Sequence, residues 1–326
     1  MARKVYRNKD ANLAVLRGKT CAVIGFGSQG AAWTMNLRDS GVRVVVGLPA
    51  KSKSRRKARA AQFSVMSNAD AARNADVIVM AAPDLKQPQI FTDELLPQLR
   101  AGQTIVFLHG FCIHAKLIPL PKNVDVALVA PAGPGNALRS LFVEGRGLPG
   151  LIAVHQDVTG RAKKTALALA KAVGLTRAGV LETTFAEETE VDLFAEQAVL
   201  CGGSSALVVA GYETLVAAGY QPELAYLACV YELRALAELM QRHGVHGMRQ
   251  RISATALYGD LTRGNRVIGK PSRTAMRQIL QEIRSGKFAR EWMQENASGL
   301  QRLRKLLIAS RNNPVERAGW RVRRLV

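Results

Sequence analysis

Acidic residues are scarce in this chain. Only 25 Asp and Glu stand against 46 Lys and Arg, for a formal charge of +21 over 326 residues. An excess of that sign suits nucleic acid, an anionic substrate steered to a basic cleft, or simply a basic surface. The sequence has no zinc-finger spacing, no RNP aromatic motif and no basic-region heptads. Its cations are spread along the chain, with concentrations at 51–59 and 302–324. Nucleic acid is therefore not the expected partner, and the charge is read as a basic surface. Cysteines number four, Cys21, Cys112, Cys201 and Cys229, with no C-x-x-C pair. Their apolar neighbours predict buried free thiols in a reducing compartment. No apolar run reaches the ~18 residues that span a bilayer. The charges of MARKVYRNKDANL are not followed by an apolar core. Neither a membrane span nor a signal peptide is expected, which makes the expected location cytoplasmic.

What is present reads as two globular domains at ~150 residues each. Through the first half, short Val/Ile runs recur: TCAVIGFG, VRVVVGL, ADVIVMAAP, QTIVFLHG, VDVALVAPAG and GLIAVHQ. They are continuous rather than alternating, so both faces of each strand are covered. Helix-compatible stretches separate them. That pattern predicts a parallel, doubly wound α/β sheet. From Thr184 onward the segments are long and helical in period, and no comparable strand run appears. The expected division is 1–183, a Rossmann-type α/β domain, and 184–326, an all-α domain.

The turn Gly25-Phe26-Gly27-Ser28-Gln29-Gly30 is G-x-G-x-x-G, placed between a predicted strand and a helix over 29–39. In that setting it predicts a dinucleotide site. Gly25 permits the tight turn, Gly27 admits the pyrophosphate, and Gly30 lets helix pack on strand. Free N–H groups at the helix start meet the phosphates. Dinucleotide folds that take NAD put an acidic residue after the second strand, for the ribose 2′-hydroxyl. Here Pro49-Ala50-Lys51-Ser52-Lys53-Ser54-Arg55-Arg56 stands instead. Hydroxyls and cations suit a 2′-phosphate, so NADPH is the expected cofactor.

In the second half, Asp192 and Glu196 are spaced i, i+4 within VDLFAEQ, so they share a helix face among apolar neighbours. Two such carboxylates suit Mg²⁺ with waters completing its shell; an exposed helix face is the alternative. His109 follows a predicted strand, at the carboxyl edge where such sheets bind ligands. His114, His155, His243 and His246 are read as structural or exposed. Glu187, Glu188 and Glu190 are read as a solvated acidic face.

At these residues the sequence resembles ketol-acid reductoisomerase, an enzyme of branched-chain amino-acid synthesis that uses NADPH and two Mg²⁺. The resemblance runs from Val5 to about Arg317. It rests on the 25–30 turn, VVVGL, LHGF-x-IH, LVAPAGPG, VEGRGLPGLIAVHQD, YGD-x-x-RG and SGKFAREW, and above all on TRAGVLETTFAEETEVDLFAEQAVLCGG. It implies a Rossmann domain followed by a knotted helical domain, and a homodimer or larger assembly through the apolar helices of 198–239. It also implies cofactor contacts at Ser52 and Ser54, with Arg55 beside them. Further implied are an active-site His at His109, metal ligands at Asp192, Glu196 and Glu232, and a substrate-carboxylate Ser at Ser253.

Two positions depart from the family pattern. The motif A-P-K-G-P-G becomes Ala130-Pro131-Ala132-Gly133-Pro134-Gly135, so the catalytic Lys is Ala132. A Glu four residues before Glu232 becomes Ala228. Asn136 and Leu257 also differ. Alkyl migration needs a ketol alkoxide held between two metals. Ala228 removes one carboxylate from the second metal, leaving one Mg²⁺ site expected. Ala132 removes a cation that would polarise the substrate oxygen. Hydride transfer asks for less, and His109, Asp192 and Glu196 remain for it. The reading this favours is an NADPH-dependent reductase whose isomerase step is lost. Its substrate would be a polar, anionic carbonyl or imine compound, with Tyr231 and Arg251 candidates for the altered pocket. Two alternatives stand beside it: an authentic ketol-acid reductoisomerase with a substituted site, and a non-catalytic dinucleotide-binding protein.

Overall fold

The chain is described from a computed structural model that covers residues 4–325. Val/Ile-rich runs form a nine-stranded sheet in the order β1-β9-β8-β7-β6-β5-β2-β3-β4. The strands are β1 Val5–Tyr6, β2 Thr20–Ile24, β3 Arg43–Gly47, β4 Ser64–Met66 and β5 Val77–Met80. They continue with β6 Thr104–Phe107, β7 Asp125–Pro131, β8 Gly150–Gln156 and β9 Val180–Glu182. Pairing from β4 through β7 is parallel, as predicted. β8 departs from that expectation: it lies antiparallel to β7, and β1 is antiparallel to β9. The sheet is thus mixed, because periodicity reports which faces are buried and not the direction in which a strand runs.

Both faces are covered. Val23, Val79, Val106, Ala127 and Val129 lie in one core cluster with Trp33, Leu37 and the helix Ala162–Ala172. Their strand neighbours Ile24, Ile78, Met80, Phe107 and Leu128 point to the other face and are also fully buried. β2 sits between β3 and β5, so the chain reverses its winding direction there. In open α/β sheets this switch point is where ligands bind, beyond the strands' carboxyl ends.

The chain forms two compact units, Met1–Thr189 and Glu190–Val326, whose boundary falls inside the helix Phe185–Ala195. Among the described residues, the second unit contains helices only. Its core gathers Tyr212, Ala225 and Tyr226 with Val315, Ala318 and Val322 of the helix Pro314–Val322. Gly319 is required in that packing, because a Cβ there would stand 2.8 Å from Tyr226 Cζ. Arg321 pairs with Glu223, and Arg323 donates to the Tyr226 hydroxyl at 3.1 Å.

Three further sequence expectations change. The thiols of Cys21 and Cys112 are buried, and burial pushes Cys21 up to about 12, with Asp76 adding to it. Cys201 is exposed and Cys229 half-buried, because their helices show much of their apolar surface to solvent. Second, the helical stretch Phe185–Ala217 is long and apolar enough, by length and composition only, to cross a membrane. Gly, Ser and Ala extend its apolar character beyond the Val/Leu/Phe clusters visible in the sequence. Only 6% of its most apolar window is buried within the chain. Third, Glu188 is not part of a solvated acidic face: it is 4% exposed.

Candidate active site

The dinucleotide turn leaves the carboxyl end of β2 and enters the helix Ser28–Asp39. Gly25 has φ +109, and a Cβ there would sit 2.7 Å from the carbonyl oxygen of Ala81. A Cβ on Gly30 would collide with the Gly25 carbonyl. Gly27 differs: nothing lies within 4 Å of its missing Cβ, so its backbone faces open space at the helix N-terminus. Two glycines needed for tight packing and a third bordering open space make a cradle that fits a pyrophosphate. Phe26 is buried with Val46, Leu48, Ala58 and Phe63, and so anchors the turn from below.

A second loop lies against this turn. Gly135 begins the helix Gly135–Val143, and its Cα packs against the Ser28 backbone so closely that any side chain would collide. Gln29 donates from Nε2 to the Gly133 carbonyl at 2.8 Å. Farther along, Arg139 pairs with Asp39 at 2.7 Å and donates to Asn36 Oδ1 at 2.8 Å. Ala132, in the same loop, is exposed.

The segment that carries the 2′-phosphate prediction follows β3 and enters the short helix Ser54–Ala60. Ser52 and Ser54 are half-buried, and the Ser52 hydroxyl accepts from the Ser54 N–H at 3.3 Å. Arg55 is turned inward. Its guanidinium donates to the carbonyls of Leu48 at 2.7 Å, Met66 at 3.2 Å and Val65 at 3.4 Å. It ties the loop to the ends of β3 and β4, a task its sequence neighbourhood did not reveal.

His109 follows β6 at the same carboxyl edge. Its Nδ1 lies 3.5 Å from Asp84 Oδ2, and its ring lies parallel to Phe111 with centroids 6.3 Å apart. Asp84 is in turn held by Gln87, which donates to Oδ1 at 3.0 Å. The next residue, Gly110, donates its N–H to the buried Glu188 carboxylate at 2.8 Å. Asp84 and Glu188 were not legible in sequence, because they meet His109 and Gly110 from 25 and 78 residues away; Gln87 acts locally, through Asp84 and the Ala82 carbonyl. A cleft of about 390 Å³ lined by Lys19, Arg38 and Arg43 lies at the amino ends of β2 and β3. That is the wrong edge of the sheet for the dinucleotide turn.

In the helical unit, Asp192 and Glu196 are exposed one turn apart, as their spacing predicts. Glu196 opens a π-helical turn, Glu196–Leu200, and Glu232 directly follows another, Leu227–Tyr231, which contains Ala228. Wide turns of this kind concentrate at functional sites because they re-aim side chains within a helix. Nothing in the sequence marked them. Hard carboxylate oxygens at Asp192 and Glu196 have the chemistry for one Mg²⁺. Among the described residues, however, no three His, Cys, Asp or Glu side chains gather around a common metal position. Glu232 is thus not brought to the other two. Ser253 caps the helix Ala254–Val267, accepting from the Ala256 N–H at 3.2 Å, and its hydroxyl hydrogen remains to be donated. Nearby, Arg249 pairs with Asp260 of the Tyr-Gly-Asp motif at 2.5 Å.

Comparison with known proteins covers both units. Residues 15–179 match the family described as acetohydroxy acid isomeroreductase, NADPH-binding domain. Residues 185–326 match the ketol-acid reductoisomerase C-terminal domain. Among solved structures, the chain is similar to an NADH-preferring ketol-acid reductoisomerase from an uncultured archean. The two are 40% identical over 99% of each chain, with a TM-score of 0.96. More distant likenesses are of fold alone. A semialdehyde dehydrogenase NAD-binding protein from Cupriavidus necator is 17% identical over 82% of this chain and 99% of that one, TM-score 0.63. A pyrroline-5-carboxylate reductase from Coxiella burnetii is 16% identical over 82% and 98%, TM-score 0.55.

Proposed function

The chain belongs to the ketol-acid reductoisomerase family, and on that premise we propose that it carries out the family reaction, rearranging and reducing a ketol acid of the acetolactate class with NADPH. The supporting observation is a family match across both domains, with 40% identity along the whole chain. The same matches support an oxidoreductase with a nicotinamide-dinucleotide domain over a non-catalytic binding protein.

A second reading rests on a different observation: Ala132 and Ala228 stand where the family motifs put Lys and Glu. In that reading the rearrangement is lost and only reduction remains, on an anionic carbonyl or imine substrate. The comparisons favour the first reading, because they concern the chain as a whole. The two alanines favour the second, because alkyl migration needs more preorganised charge than hydride transfer does.

Bound NADPH would supply the hydride in either case. The turn at 25–30 would hold its pyrophosphate, and Lys51, Ser52, Lys53, Ser54 and Arg56 would favour a 2′-phosphate. Its archaean relative prefers NADH, so this loop is where cofactor choice is to be tested. Arg55 stabilises the loop from within. His109 is the proton-transfer candidate of the first unit. Asp192 and Glu196 are the candidates for holding one Mg²⁺ in the second, with Ser253 donating to a substrate carboxylate.

The exposed apolar helices of the second unit, among them Leu200, Leu207, Leu224, Leu233 and Leu236, are read as the surface that meets a second copy. A cytoplasmic homo-oligomer acting on a small anionic substrate completes the proposal.

The test feeds the enzyme two substrates with NADPH and Mg²⁺: 2-acetolactate, and the already rearranged 2-keto-3-hydroxy acid. Consumption of both at similar rates supports the full reaction. Reduction of the rearranged acid alone supports the second reading, and turnover of neither, with reduction of an imine, moves the substrate class.

A further inference from the structure

The loops after β5 and β6 leave neighbouring parallel strands, paired Met80 to Phe107, and so emerge side by side at the carboxyl edge of the sheet. One carries Asp84 and the other His109. Asp84 is held from two sides. Its Oδ1 accepts from Gln87 Nε2 at 3.0 Å, and the same nitrogen donates to the Ala82 carbonyl at 2.9 Å. Gln87 is 3% exposed, so it is a fixed anchor. The Cys112 thiol donates to the Asp84 carbonyl at 3.4 Å. The second carboxylate oxygen, Oδ2, stands 3.5 Å from His109 Nδ1. A carboxylate at that distance favours the tautomer that turns an N–H toward it, and it favours the imidazolium over the neutral ring. Burial, with the Asp84 charge adding to it, pushes the Cys112 thiol up, so a second group registers the same carboxylate. The other titratable groups on the elements around His109 are Lys86 on the Asp84 turn, His114 on the short helix Phe111–His114, and Glu187 and Glu188 on the helix Phe185–Ala195. Lys86 is exposed, and Glu188 accepts the Gly110 N–H.

We propose that Asp84 is the positioning residue of His109: its carboxylate keeps a proton on Nδ1 and holds the ring in the imidazolium form. This rests on the reading of His109 as the proton-transfer candidate. Gln87 and Cys112 fix Asp84, and Asp84 in turn sets the protonation of the imidazole. An ordinary histidine, with a pKa of ~6.5, is mostly neutral at pH 7. Beside Asp84 a larger share of His109 is imidazolium, the form that can give up a proton. The arrangement is built across two loops 25 residues apart, so it depends on the parallel pairing of β5 with β6.

Histidine-labelled full-length protein tests this by NMR, without relying on turnover. The chain has five His, and His109→Gln identifies the His109 signal. Asp84→Asn keeps the shape and an acceptor for Gln87 but removes the charge. It should lower the His109 pKa by about one unit, and the limb of the rate–pH profile that follows His109 should move with it. Glu188→Gln should move the signal less. An unmoved His109 signal in Asp84→Asn, or a larger move in Glu188→Gln, would overturn the proposal. A measurement on the unmodified protein stands even if the variants do not fold. Nitrogen-15 shifts of the neutral ring should show the proton on Nδ1, and a proton on Nε2 would overturn the proposal as well. Full turnover by His109→Gln would instead overturn the reading of His109, and the role of Asp84 with it.

Discussion

The buried carboxylate of Glu188 accepts the backbone N–H of Gly110 at 2.8 Å, joining the loop after β6 to a helix 78 residues away. His109 is the adjacent residue, so this bond helps fix the backbone from which the imidazole projects. A Cβ on Gly110 would collide with Thr189 Oγ1 and stand 2.8 Å from Glu188 Oε2. Gly110→Ala is therefore expected to destabilise the protein by about 1–3 kcal/mol through overpacking. Urea unfolding of variant and parent measures it, and an unchanged midpoint would show that the contact yields freely. Glu188→Gln, which keeps an acceptor oxygen, should cost less than Glu188→Leu.

NADPH should bind more tightly than NADH, because no carboxylate in the 51–56 segment repels a 2′-phosphate. Calorimetry with both cofactors decides it; an NADH preference like that of the archaean relative would refute the assignment of this loop. Lys51→Ala together with Lys53→Ala should weaken NADPH and leave NADH nearly unchanged. Arg55→Ala should behave differently, weakening both and lowering the melting temperature, since its guanidinium holds three carbonyls.

Ala132→Lys with Ala228→Glu should raise acetolactate rearrangement if the second reading of the function holds, by at least tenfold over either single change. Separate assays for rearrangement and reduction are needed. Full rearrangement by the unmodified enzyme would show that the two alanines are compatible with the complete reaction.

A pH-dependent contribution to stability is expected at the sheet edge. Lys163 Nζ and the Tyr6 hydroxyl both reach Glu182 Oε2 at 2.7 Å. The Lys163 hydrogen bond, then that of Tyr6, holds the Glu182 carboxyl below its ordinary range, and the Glu182 hydrogen bond raises Lys163. Stability from Glu182 is present above its unfolded pKa of ~4.3 and lost as pH falls through the lower folded value. That from Lys163 is present below ~10.4 and lost as pH rises through the higher folded value. Both side chains are 42% exposed, so solvent screening limits the gain to under ~1 kcal/mol. The melting-temperature gap between parent and Glu182→Gln should be flat in the neutral range and close toward pH 3. A gap that persists in acid would assign the effect to packing.

Light scattering should give a mass of at least twice 35.3 kDa. A monomer would leave the exposed apolar face of the Phe185–Ala217 helix without the proposed second copy.

Element types and the glycine turn were legible in the residues alone. Runs such as TCAVI and VRVVVG must be covered on both faces wherever they lie, and G-x-G-x-x-G works through its own backbone. Spacing likewise placed Asp192 and Glu196 on one helix face. That β8 runs antiparallel, that Arg55 turns inward, that Glu188 is buried against Gly110 and that Gln29 reaches Gly133 came from the packing of distant segments. Hydrophobic period records how often a side chain meets the core, a local quantity. A hydrogen bond depends on which two groups chain packing brings within about 3 Å, and a Glu or Gln looks the same in sequence whether its partner is water or a backbone amide across the fold.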